Sequence, residues 1–205
     1  MNLEDVGCRE ELAQSIIPLL EKDARVAEVG YYGSMADGTA DCYSDIDLRV
    51  QLTDVSDRVF AEALPDLVRP VGSLLIEGWG LSALPDQYVR TFYFDAYPLF
   101  WHVDIACDSD EHVDGVDIQQ DYHWEQMFKI WIDVVSSLLR GEDTTAYYEG
   151  FISRWRDVSS VQDLEPAAKL SQYLDWYAER TRGRGAPCEA VYRRCDEVRH
   201  CYLLC

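Results

Sequence analysis

The spacing of apolar residues changes character near residue 116. Before that point, helical and strand patterns alternate. Leu12, Ile16, Leu19 and Leu20 recur at helical spacing and predict an amphipathic helix over 9–22. VAEVGYY, ending at Gly33, reads as a short strand. DIDLRVQL alternates strictly: Ile46, Leu48 and Val50 share one face, and Asp45, Asp47, Arg49 and Gln51 share the other. Residues 56–68 predict a second helix, with Val59, Phe60, Ala63, Leu64 and Leu67 on its apolar side and Pro70 beyond its end. SLLIEGWGL, YVRTFYFDAY and LFWHVDIAC predict three further strands, the first weakened by Gly78 and Gly80.

After an acidic stretch, DSDEHVDGVD, that reads as a linker or exposed loop, the pattern is helical throughout. Residues 122–139, 144–157, 164–182 and 188–204 predict four helices, punctuated by RGED, DVSSVQD and RGRGAP. The expected organisation is an α+β domain over 1–116, followed by a helical bundle over 117–205.

Composition narrows the function classes. Aliphatic and aromatic residues run from end to end, which argues against disorder. No run of about 18 uncharged apolar residues predicts a membrane span. The first residues, MNLEDVGCREELAQ, lack a basic region followed by an apolar one, so a cytoplasmic protein is expected. The formal charge is −20, which disfavours a nucleic-acid partner and favours cations, whether metal ions or a cationic small molecule. A salt-adapted surface accounts for the same charge. Seven cysteines at irregular spacing, with no CxxC, suit free thiols better than a disulfide framework or a zinc site.

The chemistry concentrates in YYGSMADGTADCYSDIDLRV. A strand runs into Gly33-Ser34, where a short helix is expected to start. A turn of this kind presents backbone N–H groups to phosphate, and Ser34 adds a hydroxyl. Eleven positions after Ser34 comes Asp45, and two later Asp47, on one strand face. Two such carboxylates repel unless a divalent cation lies between them. Asp104 stands alone among the apolar residues of FWHVDIAC, where a buried acid needs a partner or a metal. If that strand neighbours DIDLRV, three carboxylates converge and suit two-metal phosphoryl or nucleotidyl transfer, with Asp104 as the base.

Gly33-Ser34, ten residues, Asp45-Ile46-Asp47 and a later strand Asp104 resemble the signature of the polymerase-β-like nucleotidyltransferases. The resemblance is greatest to the minimal and the aminoglycoside-type members, and it covers residues 26–107. It implies a palm with a mixed sheet and flanking helices, Mg²⁺ held by Asp45, Asp47 and Asp104, and ATP or another triphosphate near Gly33 and Ser34. It also implies transfer of AMP to a hydroxyl of a small molecule, with antibiotic modification as one role. One position departs: minimal members carry Arg two residues after the Gly, and here that residue is Met35. Arg49 lies on the acidic face and could replace it, or could simply pair with one of those acids.

Other residues have two readings each. His102 shares the face of Asp104 and is either near the site or satisfied by a neighbour. Glu77 is either a second base or an exposed edge-strand acid. Lys129 or Lys169 could reach a triphosphate if the helical half closes over it, and otherwise both are surface residues. The helical aromatics line an acceptor pocket or pack a core. Two rival functions share the palm: AMP transfer to a partner protein, as in antitoxin-like members, and a non-catalytic nucleotide-binding regulator.

Overall fold

Strict alternation makes residues 46–52 the centre of the fold. In the computed structural model, which describes residues 7–80, 87–113, 122–145, 164–183 and 186–204, Ile46–Leu52 forms a strand. Its even-numbered residues are buried, and Asp47, Arg49 and Gln51 are more open. The chain order is α1 (Gly7–Glu21), β1 (Val26–Tyr31), α2 (Gly33–Asp37), β2 (Ile46–Leu52), α3 (Asp57–Val68), β3 (Leu74–Trp79), β4 (Tyr88–Phe94) and β5 (Val103–Asp108). Helices α4 (Tyr122–Leu139), α5 (Pro166–Thr181) and α6 (Ala186–Val198) follow. The chain divides into two units, Met1–Gln126 and Met127–Cys205.

In the first unit, five strands form one mixed sheet in the order β1-β2-β5-β4-β3. The β2–β5 pair is parallel and the other three are antiparallel. A parallel pair needs a crossover, and the chain between β2 and β5 supplies α3, β3 and β4. One sheet face carries Ile46, Leu48, Val50, Val103, Ile105 and Phe92. It packs under Leu12, Ile16 and Leu20 of α1 and Phe60, Leu64 and Val68 of α3. Each such side chain contributes about 1.5–3 kcal/mol when fully buried. That burial holds the sheet's opposite face, with its acids, in one register.

The expected elements need adjustment. The LFW of LFWHVDIAC is a 3₁₀ turn over Leu99–Trp101, because Pro98 precedes it, and the strand starts only at Val103. Val59 is 52% exposed, because α3 turns Phe60, Ala61 and Leu64 inward instead. Gly78 lies within edge strand β3, which ends at Trp79, and at Gly80, just beyond, a side chain would press on Val89. The acidic stretch after β5 begins as an exposed loop, one of its two expected forms, and it is anchored there: His112 contacts the Asp57 carboxylate, and the Tyr88 hydroxyl donates to the Val113 carbonyl. Its remainder, from residue 114, lies outside the described residues.

In the second unit, α4 and α5 face each other through aromatic residues. Trp131 Nε1 donates to the Leu170 carbonyl at 2.9 Å, and the Phe128 and Tyr177 rings lie 6.3 Å apart. Met127, Phe128, Trp131, Tyr173, Leu174 and Tyr177 line an apolar cavity within this unit. Helix α6 ends at Val198 and continues as a π turn over Arg199–Leu203, where Arg199 reaches Asp175 at 2.5 Å. The helix expected over 144–157, with Tyr147, Tyr148, Phe151 and Trp155, lies outside the described residues except at its first two positions. Cys107 and Cys195 are buried free thiols, and burial pushes both well above the ordinary thiol range. Among the described residues, no helix is long and apolar enough to cross a membrane.

Candidate metal and nucleotide site

The site assembles where the two parallel strands begin. In the β2–β5 register Asp47 lies opposite Asp104, and the Ile46 N–H donates to the His102 carbonyl at 2.9 Å. That bond carries the parallel register one step back, so Asp45 and His102, each just before its strand, also become neighbours. The His102 Nε2 lies 3.1 Å from Asp45 Oδ2. One ligand atom each from Asp45, His102 and Asp104 fall within 4.8 Å of one another. Two carboxylates and an imidazole at that spacing are a donor set for a divalent cation.

Each member of this group has a fixed setting. Asp104 is 8% exposed, and Thr91 on β4 donates to its Oδ1 at 2.5 Å. His102 is 3% exposed and stacks on the Tyr93 ring, with centroids 4.9 Å apart. Asp47 is outside the trio but adjoins it through Asp104. A side chain on Gly33 would meet Asp47 Oδ2 at 2.5 Å. Gly33 has a φ of +60°, so the residue suits both the left-handed backbone and the close approach. The Tyr32 N–H donates to the Asp47 carbonyl at 3.1 Å. Burial, and then the charges of Asp47, Asp104 and Asp45, push the Tyr32 phenol well above its ordinary range. It is therefore a neutral hydroxyl, and its hydrogen bond to the Asp47 side chain adds to the same shift.

The loop that delivers Asp45 is tied down from two directions. Buried Arg9 of α1 donates to the carbonyls of Asp41 and Ser44, the latter at 3.2 Å. Trp101 Nε1 donates to the Cys42 carbonyl at 3.0 Å. Within the loop, Asp41 Oδ1 accepts from the Tyr43 N–H at 2.9 Å and from the Ser44 hydroxyl at 3.0 Å. Burial pulls the Arg9 guanidinium below its usual value, and the Asp41 charge partly offsets this. Charge-assisted bonds of this kind contribute about 1.5–3 kcal/mol each. Arg9→Met should thus destabilise the protein by roughly 2–4 kcal/mol in urea denaturation. A loss below about 1 kcal/mol would show that the loop holds itself.

The remaining sequence candidates separate. Ser34 lies in the five-residue α2, and its carbonyl accepts the N–H groups of Gly38, Thr39 and Ala40. Met35 packs against the hydrophobic core, and so takes a place where a guanidinium would be costly. Arg49 Nε pairs with Asp108 at 3.2 Å, not with Asp45 or Asp47, and its guanidinium lies 5.3 Å from the Tyr32 ring centroid. Glu77 is on edge strand β3, half-buried, 3.6 Å from Arg90. Lys129 and Lys169 are half-buried residues of α4 and α5 in the second unit. Arg9, Tyr32 and Thr91 were not sequence candidates. Tyr32 adjoins the Gly-Ser pair, which is a local signal, but Arg9 and Thr91 reach the site only through the fold.

No protein-family model and no curated protein match this chain. A solved structure of a GLD-2/RNP-8 complex matches at 15% identity with a TM-score of 0.34. The match covers 85% of this chain and 76% of that one. A likeness that distant says nothing about activity here.

Proposed function

We propose that this protein is a metal-dependent nucleotidyltransferase that moves a nucleoside monophosphate, AMP from ATP foremost, to a hydroxyl of a cationic small molecule. The observation that carries this reading is the β2–β5 register. It brings the strand acid Asp104 beside the Asp45-Ile46-Asp47 motif, on the face away from the helices. Bound divalent cations would supply charge neutralisation on the triphosphate and a lowered pKa for the acceptor hydroxyl.

The residues divide the work. Asp45, Asp47 and Asp104 would hold the divalent cations, with Mg²⁺ the ion an all-carboxylate set would suit. Asp104 also takes the proton from the acceptor hydroxyl as its oxygen attacks the α-phosphorus. The bond from that phosphorus to the bridging oxygen breaks, and pyrophosphate leaves. Thr91 keeps the Asp104 carboxylate oriented, and Tyr32 does the same for Asp47. Gly33 lies beside Asp47 and, with Ser34, is assigned to the triphosphate, with Arg49 a candidate cation on the same strand face. The charge of −20 supports a cationic acceptor such as an aminoglycoside-like amino-sugar.

The test is a screen for pyrophosphate release with a divalent metal, each of four nucleoside triphosphates, and a panel of aminoglycosides and other amino-alcohols. Release that depends on one acceptor, which gains the mass of a nucleoside monophosphate, is expected. If only a partner protein gains that mass, the acceptor class is wrong and the reaction type stands. If nucleotide binds and nothing is ever modified, the enzyme reading falls.

A further inference from the structure

We infer that His102 is a direct metal ligand, so that this centre selects a first-row transition-metal dication such as Mn²⁺ over Mg²⁺. The inference rests on the metal site of the proposed function and specifies which ion that site takes. An all-carboxylate set is hard and suits Mg²⁺, which keeps near-ideal octahedral oxygen coordination and several waters. An imidazole nitrogen is a softer donor, and it shifts preference toward the transition series. Here one of the three donors that come together is such a nitrogen.

The placement of His102 is set from several sides. Its backbone carbonyl is held by the Ile46 N–H at 2.9 Å, which fixes the residue beside Asp45. Its ring stacks on Tyr93 at an interplanar angle of 22°, which fixes the plane. The side chain is 3% exposed, and its Nε2 lies 3.1 Å from the Asp45 carboxylate. A ring oriented in this way has little rotamer freedom left to lose on binding. Metal bonds of about 2.0–2.2 Å need donors closer than the 4.8 Å limit of this trio, and small rotations of Asp45 and Asp104 would close the difference. If His102 served only as the ion-pair partner of Asp45, its nitrogen would stay outside the coordination shell. The two roles therefore differ in a spectroscopic observable.

The experiment is pulsed electron paramagnetic resonance of the full chain with Mn²⁺ alone, without nucleotide, so that no base nitrogen contributes. Nitrogen hyperfine modulation from a coordinated imidazole is expected, and it should change to the ¹⁵N pattern when the protein is grown with ¹⁵N-histidine. Calorimetry should show that His102→Gln weakens Mn²⁺ binding by about 10–100-fold, at least the cost of losing an outer-shell partner. Mg²⁺ binding should change much less. Mn²⁺ that binds, and is lost in Asp104→Asn, but shows no nitrogen modulation overturns the role of His102 and leaves the carboxylate site standing. No Mn²⁺ binding at all overturns both. The wild-type spectrum decides the point even if His102→Gln fails to fold.

Discussion

Asp47→Asn is expected to abolish nucleotidyl transfer and leave the protein folded. Asp47 lies opposite Asp104 in the β2–β5 register, with its carboxylate under Gly33. The amide keeps the shape but loses the charge, and replaces one acceptor oxygen with a donor nitrogen. A metal-binding carboxylate lost in this way should cost at least about 100-fold in rate, the upper end of what an outer-shell partner costs. Stability should not fall, because three acids converge on this face and removing one charge relieves their repulsion. The measurement pairs the rate of pyrophosphate release, on the acceptor found by the screen, with a thermal melt. Wild-type turnover in the variant refutes the metal site. A collapse in melting temperature would mean instead that Asp47 is structural.

Gly33→Ala should disable the site through the same carboxylate. The new Cβ would lie 2.5 Å from Asp47 Oδ2. The cheapest relief is rotation of Asp47, which takes its carboxylate out of the position it holds under Gly33. Gly38 is the natural control. It also has a left-handed backbone, with φ of +69°, but an added Cβ there meets nothing within 4 Å. Both substitutions should therefore cost about 1–2 kcal/mol for the left-handed conformation of an L-residue. Only Gly33→Ala should lose Mn²⁺ affinity and transfer. Equal effects of the two variants on Mn²⁺ affinity would show that the close approach to Asp47 has no functional meaning.

Much of this arrangement is legible in the residues, because alternation is a local property. Ile46, Leu48 and Val50 must share a face, and a chain that buries them must present Asp47 and Arg49 on the other. The Gly-Ser pair and the acids two apart can likewise be read without any contact. The same kind of pattern places Val59 on the apolar side, yet it is exposed, because a helical apolar stripe wider than the core leaves the choice of buried edge to packing. The 3₁₀ turn at Leu99–Trp101 is not legible in the pattern either, because its apolar residues mimic a strand while Pro98 sets a turn.

What the chain alone determines is therefore the set of donors and their faces: Asp45 and Asp47 near one strand, Asp104 on another, and Gly33 ahead of them. Tertiary structure alone decides which donors meet. The parallel register pairs Asp47 with Asp104 and sets His102 beside Asp45. Strand pairing lets Thr91 reach Asp104 from 13 positions away, and helix packing lets Arg9 grip a loop more than thirty positions on. Arg49 shows the limit most clearly. Its face is set by alternation, yet its partner is Asp108. Periodicity specifies direction within an element, whereas neighbours across strands depend on register, and register is set by the hydrophobic core on the far side of the sheet.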